Sequence, residues 1–146
     1  MLDQNSSSDH QHRILLVIWV VLLFSQVLFL LAVFFSKPEI FNFDVSRSLL
    51  GENPIFVVAF ALLAIVNFAI SLFVRNYSVE QAIAEKQLKY LQTGLIVGCA
   101  LCEVISILGM ILAFAFSYQY FFLWFALGIL GIFLHFPRRD TVFAAS

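Results

Sequence analysis

Glu103 is the one ionisable side chain well inside an apolar run, ten residues past Thr93 in the stretch Gly94–Phe116. On a helix that is about 15 Å along the axis, near the middle of a bilayer. A charged carboxylate at that depth costs about 2.5–3.5 kcal/mol on insertion scales. Low dielectric penalises the charged form, so a neutral acid that both donates and accepts hydrogen bonds is expected. Two kinds of chemistry follow: binding and release of a proton or sodium ion, or hydrogen-bond glue between helices. Gln26, Asn67 and Ser106 are the other polar groups at similar depth. The expectation is a buried polar cluster of Gln26, Asn67, Glu103 and Ser106.

The remaining reactive residue types point to no catalysis. Cys99-x-x-Cys102 has the spacing of a thiol redox motif, but membrane thiol oxidoreductases also use a shuttle pair, and the chain has no other Cys. The two thiols are expected to be small packing residues. His10 and His12 lie in the N-terminal tail and His135 closes the last apolar run, so no His pair faces another for haem. No metal-ligand spacing, Gly-rich phosphate loop or nucleophile–base pair occurs. No catalytic residue, metal or cofactor is expected.

The elements that hold these residues follow from composition. Of 146 residues, 62% are hydrophobic and 12% charged, with mean hydropathy +0.99. A soluble domain is about 45–50% apolar and about 25% charged. One small core cannot hide this excess. Two cysteines are too few for a disulfide scaffold, and a net charge of −1 predicts no nucleic-acid partner. The class is an integral membrane protein, in a bacterial inner or plasma membrane, with the lipid bilayer as its first partner.

A helix crosses about 30 Å of hydrocarbon with about 20 apolar residues. Four stretches are read as spans: 14–35, 54–74, 94–116 and 118–136. The first lacks a small-residue cleavage site after it and is read as an uncleaved helix. Arg13, Arg75, Lys86, Lys89, Arg138 and Arg139 fall on one side, against Lys37 and Arg47 on the other. By the positive-inside rule both termini are cytoplasmic. The fold class is thus all-α, with four transmembrane helices as two hairpins. Residues 1–13 form a polar, mobile cytoplasmic tail, 14–136 the membrane domain, and 137–146 a second tail whose Arg138-Arg139 anchors it at the surface.

The loops carry further expectations. Ile40, Phe41, Phe43, Val45, Leu49 and Leu50 make the first loop apolar enough to lie in the interface as a short amphipathic helix. Ser78-x-x-Gln81 has capping-box spacing, and Glu85 and Lys89 stand at i,i+4. One helix from about Val79 to Phe116 is expected, its first turns a connector or a docking site for a cytoplasmic partner at residues 79–92. Gly94, Gly98, Gly109 and Ala113 form small-xxx-small pairs suited to helix contact, so self-association or other membrane subunits are the expected partners. Tyr118, Tyr120 and Trp124 fit an outer aromatic belt.

The segment from Ala100 to Phe114, ALCEVISILGMILAF, resembles the carboxylate helix of the ATP synthase proteolipid, subunit c. The resemblance covers about 15 of the 146 residues. It implies that Glu103 is a proton- or sodium-binding carboxylate, with Gln26 and Ser106 as further ligands. Span one lacks that family's glycine-rich partner helix and offers Trp19, Phe24, Phe29, Phe34 and Phe35 instead. The reading put first is a non-enzymatic accessory, assembly or interaction subunit of a membrane complex. Ion translocation through Glu103 stands second.

Overall fold

A computed structural model describes every residue but Met1, Phe43, Val45, Arg47 and Ser146, with side chains from Asp9 onward. The described residues are helices and loops without a strand. They are α1 (Leu2–Ser36), a 3-10 turn at Pro38–Phe41, α2 (Pro54–Glu85), α3 (Leu88–Phe116), a second 3-10 turn at Gln119–Phe121, α4 (Phe122–Leu134) and α5 (Arg139–Ala144). Three segments, Asp9–Ser36, Pro54–Glu85 and Leu88–Phe116, are long and apolar enough to cross a bilayer. The chain is a helical membrane protein. Gln119–Leu134 is a shorter apolar helix.

α1 starts well before its apolar stretch. Once a helix is nucleated, adding a turn costs little, and the polar turns are tied down at the far end of the chain. Arg139 Nη2 pairs with Asp9 Oδ1 at 2.6 Å, and His12 Nε2 lies 3.1 Å from the Pro137 carbonyl. The tail expected to be free is helical throughout its described length.

The single helix expected over 79–116 is broken. α2 runs on to Glu85, Lys86 adopts a left-handed conformation (φ 52°), and α3 begins at Leu88. The Gln87 amide reaches back to the Ala82 carbonyl at 3.1 Å, the closing bond of a Schellman cap. Ser78 therefore lies inside α2 and caps nothing. Glu85 and Lys89 do not share a helix: Glu85 Oε2 accepts from the Tyr90 hydroxyl at 2.8 Å, and Lys89 sits over the Tyr90 ring at 5.1 Å. Residues 79–92 are thus a helical corner rather than one projecting rod.

Among its described residues the first loop holds one 3-10 turn, with Ile40 buried, and no α-helix. The expectations for Phe43, Val45 and Arg47 lie outside the described residues. The loop is pinned from the other hairpin. Tyr118 donates its hydroxyl to the Leu49 carbonyl at 2.6 Å, and Gln119 exchanges two bonds with the Asp44 backbone at 2.7 and 3.2 Å. Tyr118 and Trp124 are buried, with rings 5.5 Å apart. They fill the core at this end and do not form an aromatic belt.

α3 is the centre of the bundle, packed against α1, α2 and α4. Glycines set the spacing. A Cβ on Gly109 would lie 2.6 Å from Trp124 Cβ and 3.0 Å from the Phe121 carbonyl, and one on Gly128 would lie 2.9 Å from the Cys102 carbonyl. Gly98 faces the His135 ring, and Gly131 faces the Cys102 thiol. α4 therefore returns antiparallel along α3, reaching Gly98 at its end. Gly94 faces Ser78 of α2 instead. The small-residue positions Gly94, Gly98, Gly109 and Ala113 are all buried, but they serve two different neighbours rather than one face.

Candidate functional site

The polar groups inside the bundle form a seam between α1 and α3. Ser25 and Gln26 are adjacent on α1, while Glu103 and Ser106 lie three apart on one face of α3. Ser25 Oγ meets Glu103 Oε1, and Ser106 Oγ donates to Gln26 Oε1. Two rungs thus join helices that run in the same direction. Ser106 is fully buried and Gln26 is 1% exposed, whereas Glu103 is half-buried at the edge of the seam.

Ser25 serves two acceptors. Its hydroxyl also lies 2.7 Å from the Leu22 carbonyl, which can only accept. A serine has one proton to donate. The Leu22 carbonyl and the Glu103 carboxyl thus share one donated proton in a three-centre arrangement. On the second rung Gln26 Nε2 is buried with no partner among the described residues.

Asn67 does not join this cluster. It is half-buried on α2, and its side-chain amide donates to the Leu63 carbonyl of its own helix at 2.8 Å. Of its neighbours one turn away, Leu63 and Ile70 are exposed, whereas Ala64 and Ser71 are buried. The expected four-residue cluster is therefore three of its members plus Ser25. Asn67 lies at the edge of the packed face of a different helix.

A second polar group lies among α2, α3 and α4. Cys102 Sγ donates to Ser71 Oγ at 3.5 Å, and Ser71 Oγ donates to the Phe68 carbonyl at 2.7 Å. His135, 3% exposed, directs Nδ1 at the Gly131 carbonyl (2.7 Å) and Nε2 at the Ser71 carbonyl (3.1 Å). It closes α4 onto α2. Cys99 and Cys102 are free thiols buried in the core. Among the described residues no group of His, Cys, Asp or Glu is arranged to hold a metal ion.

Sequence reasoning missed Ser25, Ser71, His135 and the α4 glycines Gly128 and Gly131 as parts of these contacts. Gly128 and Gly131 stand three apart in an otherwise bulky run, a signal of close helix approach that was there to be read. Ser71 carried no such signal. Compared with known proteins, the chain matches no family model, no curated protein and no solved structure.

Proposed function

We propose that this is a non-enzymatic, multi-pass membrane protein that works by association, as an accessory, assembly or interaction subunit. One observation supports this above the rest. Asn67 holds a half-buried polar amide at the edge of the packed face of α2, with Leu63 and Ile70 exposed on one side of it and Ala64 and Ser71 buried on the other, and among the described residues its side chain bonds only to its own helix. Its side-chain carbonyl and second N–H are left for a neighbour. In hydrocarbon such groups drive helix–helix contact, because lipid offers no partner. The other mid-membrane polar residues, Ser25, Gln26, Glu103 and Ser106, bond within the chain. Their role in this reading is to fix α1 on α3. Asn67→Leu is expected to release the partner while leaving the monomer folded, as read by co-purification from native membranes.

In the same reading the chain crosses four times with both termini in the cytoplasm. Gln119–Leu134 is 16 residues, about 24 Å as a helix. That is short of about 30 Å of hydrocarbon, and local thinning around a packed helix accommodates such a mismatch. The basic residues Arg13, Arg75, Lys86, Lys89, Arg138 and Arg139 support the orientation. Reporter fusions after residues 53, 87 and 117 test it.

A second reading is proton or sodium translocation through Glu103, as the resemblance to subunit c implies. The half-buried position of Glu103, at the edge of the seam beside the Ser25 hydroxyl, favours it. The aromatic α1, with Phe24 and Phe29 where a rotor ring needs glycine, speaks against it. If Glu103→Gln supports wild-type function and only Glu103→Leu fails, translocation is excluded.

A further inference from the structure

The short fourth helix leaves a hollow at the basic end of the bundle. α4 stops at Leu134, level with Gly98, while α2 and α3 continue past it. Pro137 turns the chain, and α5 folds back over the gap. What remains is a cavity of about 50 Å³. That is room for three or four waters, or for one tetrahedral oxyanion.

Its lining has an unusual charge pattern. Arg75 and Arg138 both line it, with the hydroxyl residues Ser78 and Thr141, and it has no Asp or Glu in its wall. Arg75 is half-buried and has no hydrogen-bond or ion-pair partner among the described residues. The neighbouring Arg139 does have one, in Asp9. His135 also borders the cavity, but both its ring nitrogens already face carbonyls. The rest of the wall is apolar, from Leu15, Leu91, Leu95 and Val142.

A half-buried guanidinium without a counter-charge is costly unless an anion joins it. Guanidinium forks match phosphate oxygens in paired bonds. An apolar wall behind two arginines, at the end of the bundle where lipid headgroups lie, suits a phosphoryl group that carries an apolar tail.

We propose that this hollow is a phosphoryl-anion site, with Arg75 and Arg138 as the binding residues and Ser78 and Thr141 as hydroxyl donors. The phosphoryl group belongs either to an anionic phospholipid or to free phosphate. The site is separate from Glu103 and Asn67 and stands whatever their role.

The test is native mass spectrometry of the full chain in detergent, with titrated dioleoyl-phosphatidylglycerol, dioleoylglycerol or inorganic phosphate. Wild type is expected to retain one phosphatidylglycerol and to bind dioleoylglycerol, which lacks the phosphate, at least tenfold less. Arg75→Gln and Arg138→Gln are each expected to weaken binding about tenfold. Lys89→Gln, outside the hollow, is expected to leave it unchanged. Arg75→Lys keeps the charge and is expected to retain part of the binding, which separates a lost ligand from a misfolded variant. Binding of phosphatidylglycerol alone identifies a lipid site, and binding of inorganic phosphate with the same variant pattern identifies a free-anion site. Equal retention of dioleoylglycerol, unchanged binding in both Arg→Gln variants, or no binding of either phosphoryl probe overturns the proposal.

Discussion

Ser25 of α1 and Glu103 of α3 meet across the bundle, and the single proton of Ser25 faces two oxygens, those of Glu103 and of the Leu22 carbonyl. One turn further along α3, Ser106 holds Gln26. The two rungs differ in what their loss would leave behind.

Removing Glu103 leaves Ser25 bonded to Leu22, so nothing buried is orphaned. Removing Ser106 leaves Gln26, whose Nε2 already lacks a partner, with no side-chain bond at all. Ser106→Ala is therefore expected to cost about 1–3 kcal/mol. Glu103→Gln is expected to stay within about 0.5 kcal/mol of wild type, since the amide can donate to Ser25. Thermal unfolding in detergent, followed by the fluorescence of Trp19 and Trp124, checks the order.

Gly128 approaches the Cys102 carbonyl and the Ser106 hydroxyl so closely that an added methyl must move backbone. Gly128→Ala is expected to destabilise by about 1–3 kcal/mol. It should also disturb the Gln26–Ser106 rung, so its effect should be less than additive with Ser106→Ala. A double-mutant cycle in the same unfolding assay measures this.

Lys86 holds a left-handed conformation that costs a non-glycine residue roughly 1–2 kcal/mol. Glycine is the usual residue at such a helix end. Lys86→Gly is expected to stabilise the folded protein by about 0.5–1 kcal/mol, after loss of the exposed bond from Lys86 Nζ to the Ala144 carbonyl. A raised unfolding temperature is the readout.

Cys99 and Cys102 are both fully enclosed. A membrane-permeable maleimide is expected to label neither thiol in the folded protein and both after denaturation. Cys102→Ala is expected to cost little, because Ser71 keeps its bond to Phe68. Rapid labelling of the native protein would contradict the packing role.

The sequence made the three long helices legible because each carries an apolar run of spanning length, and it located Glu103, Gln26 and Ser106 at a common depth. It misplaced the corner at Lys86 because the turn is built without Gly or Pro, the residues that normally announce one. The capping-box pattern at Ser78 fits an N-terminus locally, but packing against Gly94 keeps that residue mid-helix. Asn67 shared the depth of the cluster but not its direction, and depth along a chain says nothing of which way a helix is turned in the bundle. His135 looked like a terminal residue. Its burial follows from α4 stopping level with Gly98, which only the packing of α4 on α3 reveals.

The central claim is that α2 meets a protein partner at Asn67. It is tested most directly by placing a photoreactive amino acid at Ile70, beside Asn67, and at Val20, on the exposed face of α1, and irradiating native membranes. The account predicts one discrete protein adduct from Ile70, of doubled mass or joined to another subunit, lost when Asn67→Leu is added, and none from Val20. Absence of any protein adduct at Ile70, or equal adducts from both positions, would contradict it.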